Sequence, residues 1–252
     1  MISGGLAGLV GGLVFVLFMG LLILYAVLGR RWPTVFRPIA GYEALGRAIE
    51  RAVEGGERVH LSLGTGSVTG AESAPALAGL AVLGRVAAAT TMSDRPAVVT
   101  AADGAMMILA QDTLRSAYRR VGASDRYQAT SARMLGPTPY SYVAGLPTLL
   151  ATEGVSVHML IGSFGAEGAL AADFGERQQK FVLAGTDDIQ TQALLYATAE
   201  HALIGEEVFA GGAYLNVGPL HPASLRAQDA VRLLIIVAIL VGTLVRTIIG
   251  LL

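Results

Sequence analysis

An apolar run at each end of the chain constrains what can fold between them. Residues 6–28 contain no Asp, Glu, Lys or Arg. At about 1.5 Å per residue such a run, formed as a helix, reaches across a hydrocarbon core of about 30 Å. A cleaved signal peptide needs a basic segment before the apolar stretch. Met1 to Gly5 carry no basic residue, so the run is expected to be a span. Residues 233–252 form the second run, in which Arg246 stands close to the chain end. A charge there is expected to snorkel to the headgroups. Arg30, Arg31 and Arg37 follow the first run, and Arg226 and Arg232 precede the second. Cationic residues favour the cytoplasmic side. Both runs therefore predict one orientation: a two-pass protein of the cell membrane, both termini outside, the intervening domain cytoplasmic. Tyr25 and Trp32 suit an interfacial belt. Gly4, Gly8 and Gly12 form a small-residue ladder that favours close helix contact, with the second span or with another copy.

The hydrophobic share of 53% exceeds that of an average soluble domain, and the two ends account for the excess. Roughly 190 residues remain between them, enough for one domain with a substantial core. The net charge of −1, without a basic helix face, gives no reason to expect a nucleic-acid partner. The chain has no cysteine, which excludes disulfides, thiolate metal sites and a cysteine nucleophile.

Within the central segment a helix is predicted over residues 42–54, ended by Gly55 and Gly56. Short apolar runs then alternate with longer helical stretches. The runs are 59–63, 97–101, 132–135, 155–161, 180–184 and 201–204; the helices are 71–89, 105–121, 140–152, 166–175 and 189–199. Near-continuous apolar strands alternating with helices imply a mostly parallel sheet covered on both faces. The predicted fold class is therefore α/β: a Rossmann-like, mostly parallel sheet flanked by helices, with one transmembrane helix at each terminus. In residue terms, 1–29 is the first transmembrane helix, 30–58 a juxtamembrane connector and amphipathic helix, and 59–215 the cytoplasmic domain. Residues 216–232 form a connector and juxtamembrane helix, running without a break into the second span at 233–252.

Each predicted strand is followed by glycine, small or acidic residues, and in a parallel sheet such loops share the edge where ligands bind. The first loop carries Gly64, Thr65, Gly66, Ser67 and Gly70 between a strand and a helix. That arrangement can turn backbone N–H groups toward phosphate at a helix start. Asp103 closes the second strand, Gly162 and Ser163 the fourth, and Glu206 the sixth. These nine residues are the predicted ligand set. A nucleotide is the cofactor class they would accommodate, and no metal is expected. The competing reading is that tight strand-to-helix turns need Gly, Ser, Thr and Asp for themselves. The glycine spacing departs from the dinucleotide fingerprint, and no lysine follows it as in a P-loop. Asp187, Asp188, Glu206 and Glu207 read equally as hard-metal ligands or as charges at helix starts. Ser163 lacks the nucleophile-elbow pattern, and His60, His158 and His201 fall within predicted strands, where core packing is the ordinary role.

Several motifs carry a resemblance across nearly the whole chain. They are Pro38, Ile39, Ala40, Gly41, Tyr42 and Glu43; Leu63, Gly64, Thr65 and Gly66; and Ala110, Gln111, Asp112, Thr113, Leu114 and Arg115. To these add Gly162, Ser163, Phe164 and Gly165; Ile204, Gly205, Glu206 and Glu207; and Ser224, Leu225, Arg226, Ala227, Gln228 and Asp229. Together they resemble an uncharacterised bacterial family of membrane-anchored, Rossmann-like α/β proteins, a domain of unknown function. The resemblance implies an architecture and brings no activity or site residue. The expected function is a membrane-anchored domain, leaning away from catalysis, that binds a small anionic ligand or nucleotide at the strand edge, self-assembles at the membrane, or both. The lipid bilayer and further copies of the chain are its expected partners. The alternatives are a structural scaffold with an empty site, and a membrane-bound enzyme using Asp103, Ser163, Glu206 and Glu207 at the same edge.

Overall fold

The structure is a computed structural model and describes residues 2–29, 36–70 and 72–251. Arg30, Arg31 and Trp32 lie outside the described residues. The chain divides into two compact units, one of Met1–Phe36 with Gly218–Leu252 and one of Arg37–Val217.

In the first unit α1 (Ile2–Leu28) packs against the last helix of the chain, Leu220–Leu251, which runs without a break. Both are long and apolar enough to cross a membrane. The Arg226 guanidinium lies 6.0 Å from the centre of the Tyr25 ring. Phe18 lines a groove with Ile235 and Ile236, so the two helices run antiparallel. A side chain added at Gly8 or Gly12 would meet nothing within 4 Å. Those members of the ladder are therefore not consumed by the contact between the two helices.

The second unit begins with α2 (Ala40–Glu54), whose Tyr42, Leu45, Ala48 and Ala52 recur at helical spacing and are all buried. Then follow β1 (Arg58–Gly64), α3 (Ser73–Thr90), β2 (Val98–Ala101), α4 (Gly104–Arg120) and β3 (Ala132–Met134). The second half is α5 (Pro139–Thr152), β4 (Val155–Ser163), α6 (Glu167–Arg177), β5 (Phe181–Gly185), α7 (Ile189–Thr198), β6 (His201–Leu203) and α8 (Glu207–Tyr214). The closing helix of the chain is α9. All neighbouring strands are parallel, in the order β3-β2-β1-β4-β5-β6. The chain thus builds outward from β1 to one edge, crosses through α5, and builds outward from β4 to the other.

Three layers result. Leu63 of β1 and Ile161 of β4 press on Gly79 of α3, while Ser62 and His60 point to the opposite face, where Ser62 meets Tyr142 of α5. One face carries α2, α3, α4 and α8, and the other α5, α6 and α7. Beneath the second group lies a core of Tyr142, Leu146, Leu160, Phe164, Val182 and Leu195 with their neighbours. α3 is also long and apolar enough to span a membrane, but it packs on β1, β4, α4 and α8 and serves as a core helix. The predicted strands and helices are found, with ends shifted by a few residues. α8, which periodicity did not reveal, is an addition.

Candidate ligand site at the carboxyl edge of the sheet

Because the strands are parallel, every loop leaving a strand end reaches the same edge of the sheet. β1 and β4 are central neighbours there. Gly64 pairs with Ser163 across an irregularity in register, and the Ala102 N–H donates to the Gly64 carbonyl at 3.0 Å. The residues around Gly64, Asp103, Gly162 and Ser163 are therefore brought together. Glu206 is not, because β4 and β5 separate β6 from β1.

Much of this edge is closed by its own chemistry. Gly64 has φ +73, and a Cβ there would collide with the Ser163 carbonyl. A Cβ at Gly162 would collide with the Leu63 carbonyl. These two glycines let β1 and β4 end in contact. Thr65 donates its N–H to the Ser163 carbonyl at 2.9 Å, with its hydroxyl directed at the same oxygen at 3.3 Å. Asp103 caps α4, accepting the Met106 N–H at 2.8 Å. Asp188 caps α7, accepting the Thr191 N–H at 2.7 Å and its hydroxyl at 2.5 Å. Those bonds hold the Asp188 carboxyl below its ordinary pKa, the Thr191 side chain contributing first. The buried Glu167 carboxylate accepts the Gly165 N–H at 2.9 Å at the start of α6. Glu207 accepts from the Ile204 N–H at 3.2 Å and pairs with Arg37 at 2.6 Å. Thr186, Gln192 and the Gly205 N–H then lace the ends of β4, β5 and β6 together.

Three helix starts at this edge, those of α3, α6 and α8, have no side-chain cap, but at α6 and α8 the carboxylates of Glu167 and Glu207 take N–H groups just before the helix. Glu72 precedes α3 without doing so, and the loop before it holds a half-buried Ser67 and an exposed Thr69 and Gly70. No hydrogen bond to the hydroxyls of Ser67, Thr69 or Ser163 occurs among the described residues. Ser163 is only 6% exposed, and its Cβ lies 2.9 Å from where a Cβ at Gly66 would stand. Its side chain thus faces the loop. Of the nine predicted residues, Gly64, Gly162 and Thr65 hold strands together, Asp103 caps a helix, and Gly66, Ser67, Gly70 and Ser163 surround the open start of α3. Glu206 stands apart, exposed beyond β6. Among the described residues no group of three or more His, Asp or Glu side chains is placed to hold a metal ion.

A profile for a domain of unknown function, DUF6754, matches residues 7–251. The chain belongs to that family. No curated protein and no solved structure matches the sequence. Membership in the family carries no activity with it.

The least expected side chains lie inside. On the α5 face of the sheet, His158, His60, Thr100, Tyr142 and Ser62 form one buried hydrogen-bonded chain, each at most 1% exposed. His158 Nδ1 and His60 Nδ1 are 2.8 Å apart, His60 Nε2 and Thr100 Oγ1 2.9 Å, and Thr100 Oγ1 and the Tyr142 hydroxyl 2.6 Å. Tyr142 closes a short hydrogen bond to Ser62. Burial pushes His158 down to about 4, partly offset by the Ala171 backbone. Burial, then His158 and Arg133, hold His60 well below its ordinary value. Burial raises the Tyr142 hydroxyl to about 12, with Ser62, Thr100 and the Gly64 backbone working the other way. Both imidazoles are therefore neutral near pH 7. His158 Nε2 has no partner in hydrogen-bond geometry. The sequence did carry a signal: Arg58, His60 and Ser62 alternate with Val59, Leu61 and Leu63 along a central strand.

Proposed function

We propose that this chain is a membrane-anchored, Rossmann-like protein that binds a small anionic ligand, such as a nucleotide or phosphorylated metabolite, at the open start of α3. The observation that carries this reading is the contrast among helix starts at one edge. Asp103 and Asp188 cap α4 and α7. α6 and α8, like α3, have no side-chain cap, but Glu167 and Glu207 accept the Gly165 and Ile204 N–H groups just before them. α3 has no such carboxylate acceptor among the described residues and faces the hydroxyls of Ser67 and Ser163. Helix starts attract anions through free N–H groups and the helix dipole. The order β3-β2-β1-β4-β5-β6 adds support, since it is the doubly wound order in which ligands sit where the chain reverses, here between β1 and β4. Arginines beside both apolar runs favour a cytoplasmic domain with both termini outside.

Binding without catalysis is the favoured form. His60 and His158 are buried in strands, His201 opens β6 and His221 lies in α9, so no histidine stands on the edge loops as a base for Ser163. Self-association is a second, compatible reading, favoured by the open space beside Gly8 and Gly12.

Thermal-shift measurements on the detergent-solubilised protein test the ligand reading. A nucleotide or phosphorylated metabolite at millimolar concentration is expected to raise Tm, and Ser163→Ala to reduce the shift. Glu72→Gln is expected to enlarge it, because Glu72 places negative charge beside the site. No shift with any of these compounds sinks the reading. Light scattering in mild detergent tests the second; a clean monomer contradicts it.

A further inference from the structure

The buried chain beneath α5 takes no part in the ligand reading, and its geometry limits the protons it can hold. The two Nδ1 atoms are 2.8 Å apart, room for one hydrogen between them and not for two. A neutral pair can be satisfied in two orders. In the first, His158 Nδ1–H donates to His60 Nδ1, and His60 Nε2–H donates to Thr100; a bare lone pair is left on His158 Nε2. In the second, every donor reverses: Ser62 donates to Tyr142, Tyr142 to Thr100, Thr100 to His60 Nε2, and His60 Nδ1–H to His158. His158 then carries its hydrogen on Nε2, which has no partner in hydrogen-bond geometry. One added proton fits the first order, on His158 Nε2. A second must land on His60 Nδ1, where the His158 hydrogen already points.

We propose that the His60–His158 pair makes the domain acid-responsive: two added protons and the ring contact exclude each other, so acid separates the rings and loosens β1 from β4. The surroundings offer little compensation. α5 presents Tyr142, α6 the Ala171 backbone and Gly175, β2 Thr100, and β5 Val182. The charged group acting on the pair is Arg133 of β3, bound to Glu153 at 2.6 Å, and its sign opposes charging His60. The histidines are neutral when folded and take up protons more readily when unfolded. Their contribution is thus fully present above the ordinary histidine value and is lost as pH falls below it. The inference does not rest on the ligand reading.

The test is amide hydrogen exchange of the full-length protein in detergent, from pH 8 to 4, corrected for intrinsic rates. Each proton taken up on opening lowers protection by about tenfold per pH unit. The amides of β1 and β4 are expected to lose up to about a hundredfold per unit in acid, the slope of two protons. His158→Gln keeps a donor toward His60 and cannot titrate, so its slope should be shallower by about tenfold per unit. Equal slopes in the two proteins overturn the proposal. If His158→Gln does not fold, imidazole nitrogen shifts of the unaltered protein decide. Two neutral rings at pH 7 support the proposal, and a charged ring at pH 7 overturns it.

Discussion

The carboxyl edge of the sheet and the α5 face of its middle both gather polar side chains on β1, β2 and β4, yet they use them in opposite ways. At the edge, each polar group mostly serves the backbone beside it: Asp103 and Asp188 cap the helices that follow them, and Thr65 stitches β1 to β4. In the middle, each polar group serves a side chain far away in sequence, as His60 does with His158 and Thr100. Groups of the first kind can be exchanged for water at modest cost. Groups of the second kind, fully buried, cannot.

Variants that break this contrast should rank accordingly in denaturant unfolding of the full chain. His60→Ala removes the centre of the interior chain, leaves His158 Nδ1 without its partner, takes one of the two partners of Thr100 and opens a cavity. It should cost about 3–5 kcal/mol. A cost under about 1 kcal/mol would mean that the chain holds nothing. Gly64→Ala, forced into positive φ against the Ser163 carbonyl, should cost at least about 2–3 kcal/mol. Gly70→Ala, in the same loop, where an added Cβ would come no closer than 3.8 Å to the Glu72 nitrogen, should stay within about 0.5 kcal/mol. Tyr142→Phe strips Ser62 of its partner and should cost about 1–3 kcal/mol. Helix-cap variants sharpen the edge itself. Asp103→Ala and Asp188→Ala should each cost about 1 kcal/mol, while Glu72→Ala should change stability by no more than about 0.5 kcal/mol. If Glu72→Ala costs as much as the other two, α3 is capped like α4 and α7 and its start is not open.

The same contrast explains what could be read from the residues alone. The strand–helix alternation was legible because β1, β2 and β4 are buried on both faces, which writes near-continuous apolar runs into the sequence. The loop chemistry was legible too, although its division was not. Gly64 and Gly162 look like ligand-binding glycines, and only the pairing of β1 with β4 shows that each makes way for the other strand. Sequence places Glu206 at the edge, and the strand order sets it apart from the rest. The helix Glu207–Tyr214 is eight residues, half of them Ala or Gly, too short for a clear period. The interior chain was the hardest to see, since β1, β2, α5 and β4 each contribute only one or two of its members.

The division of labour between edge and interior is open to one direct measurement: amide hydrogen exchange of the full-length protein at neutral pH, with and without inorganic pyrophosphate as an anionic probe. Added protection confined to residues 64–73 and to Ser163, with β2 and the rest of β4 unchanged, is the predicted result. No change at residues 64–73, or protection appearing first at another helix start on the same edge, would contradict it.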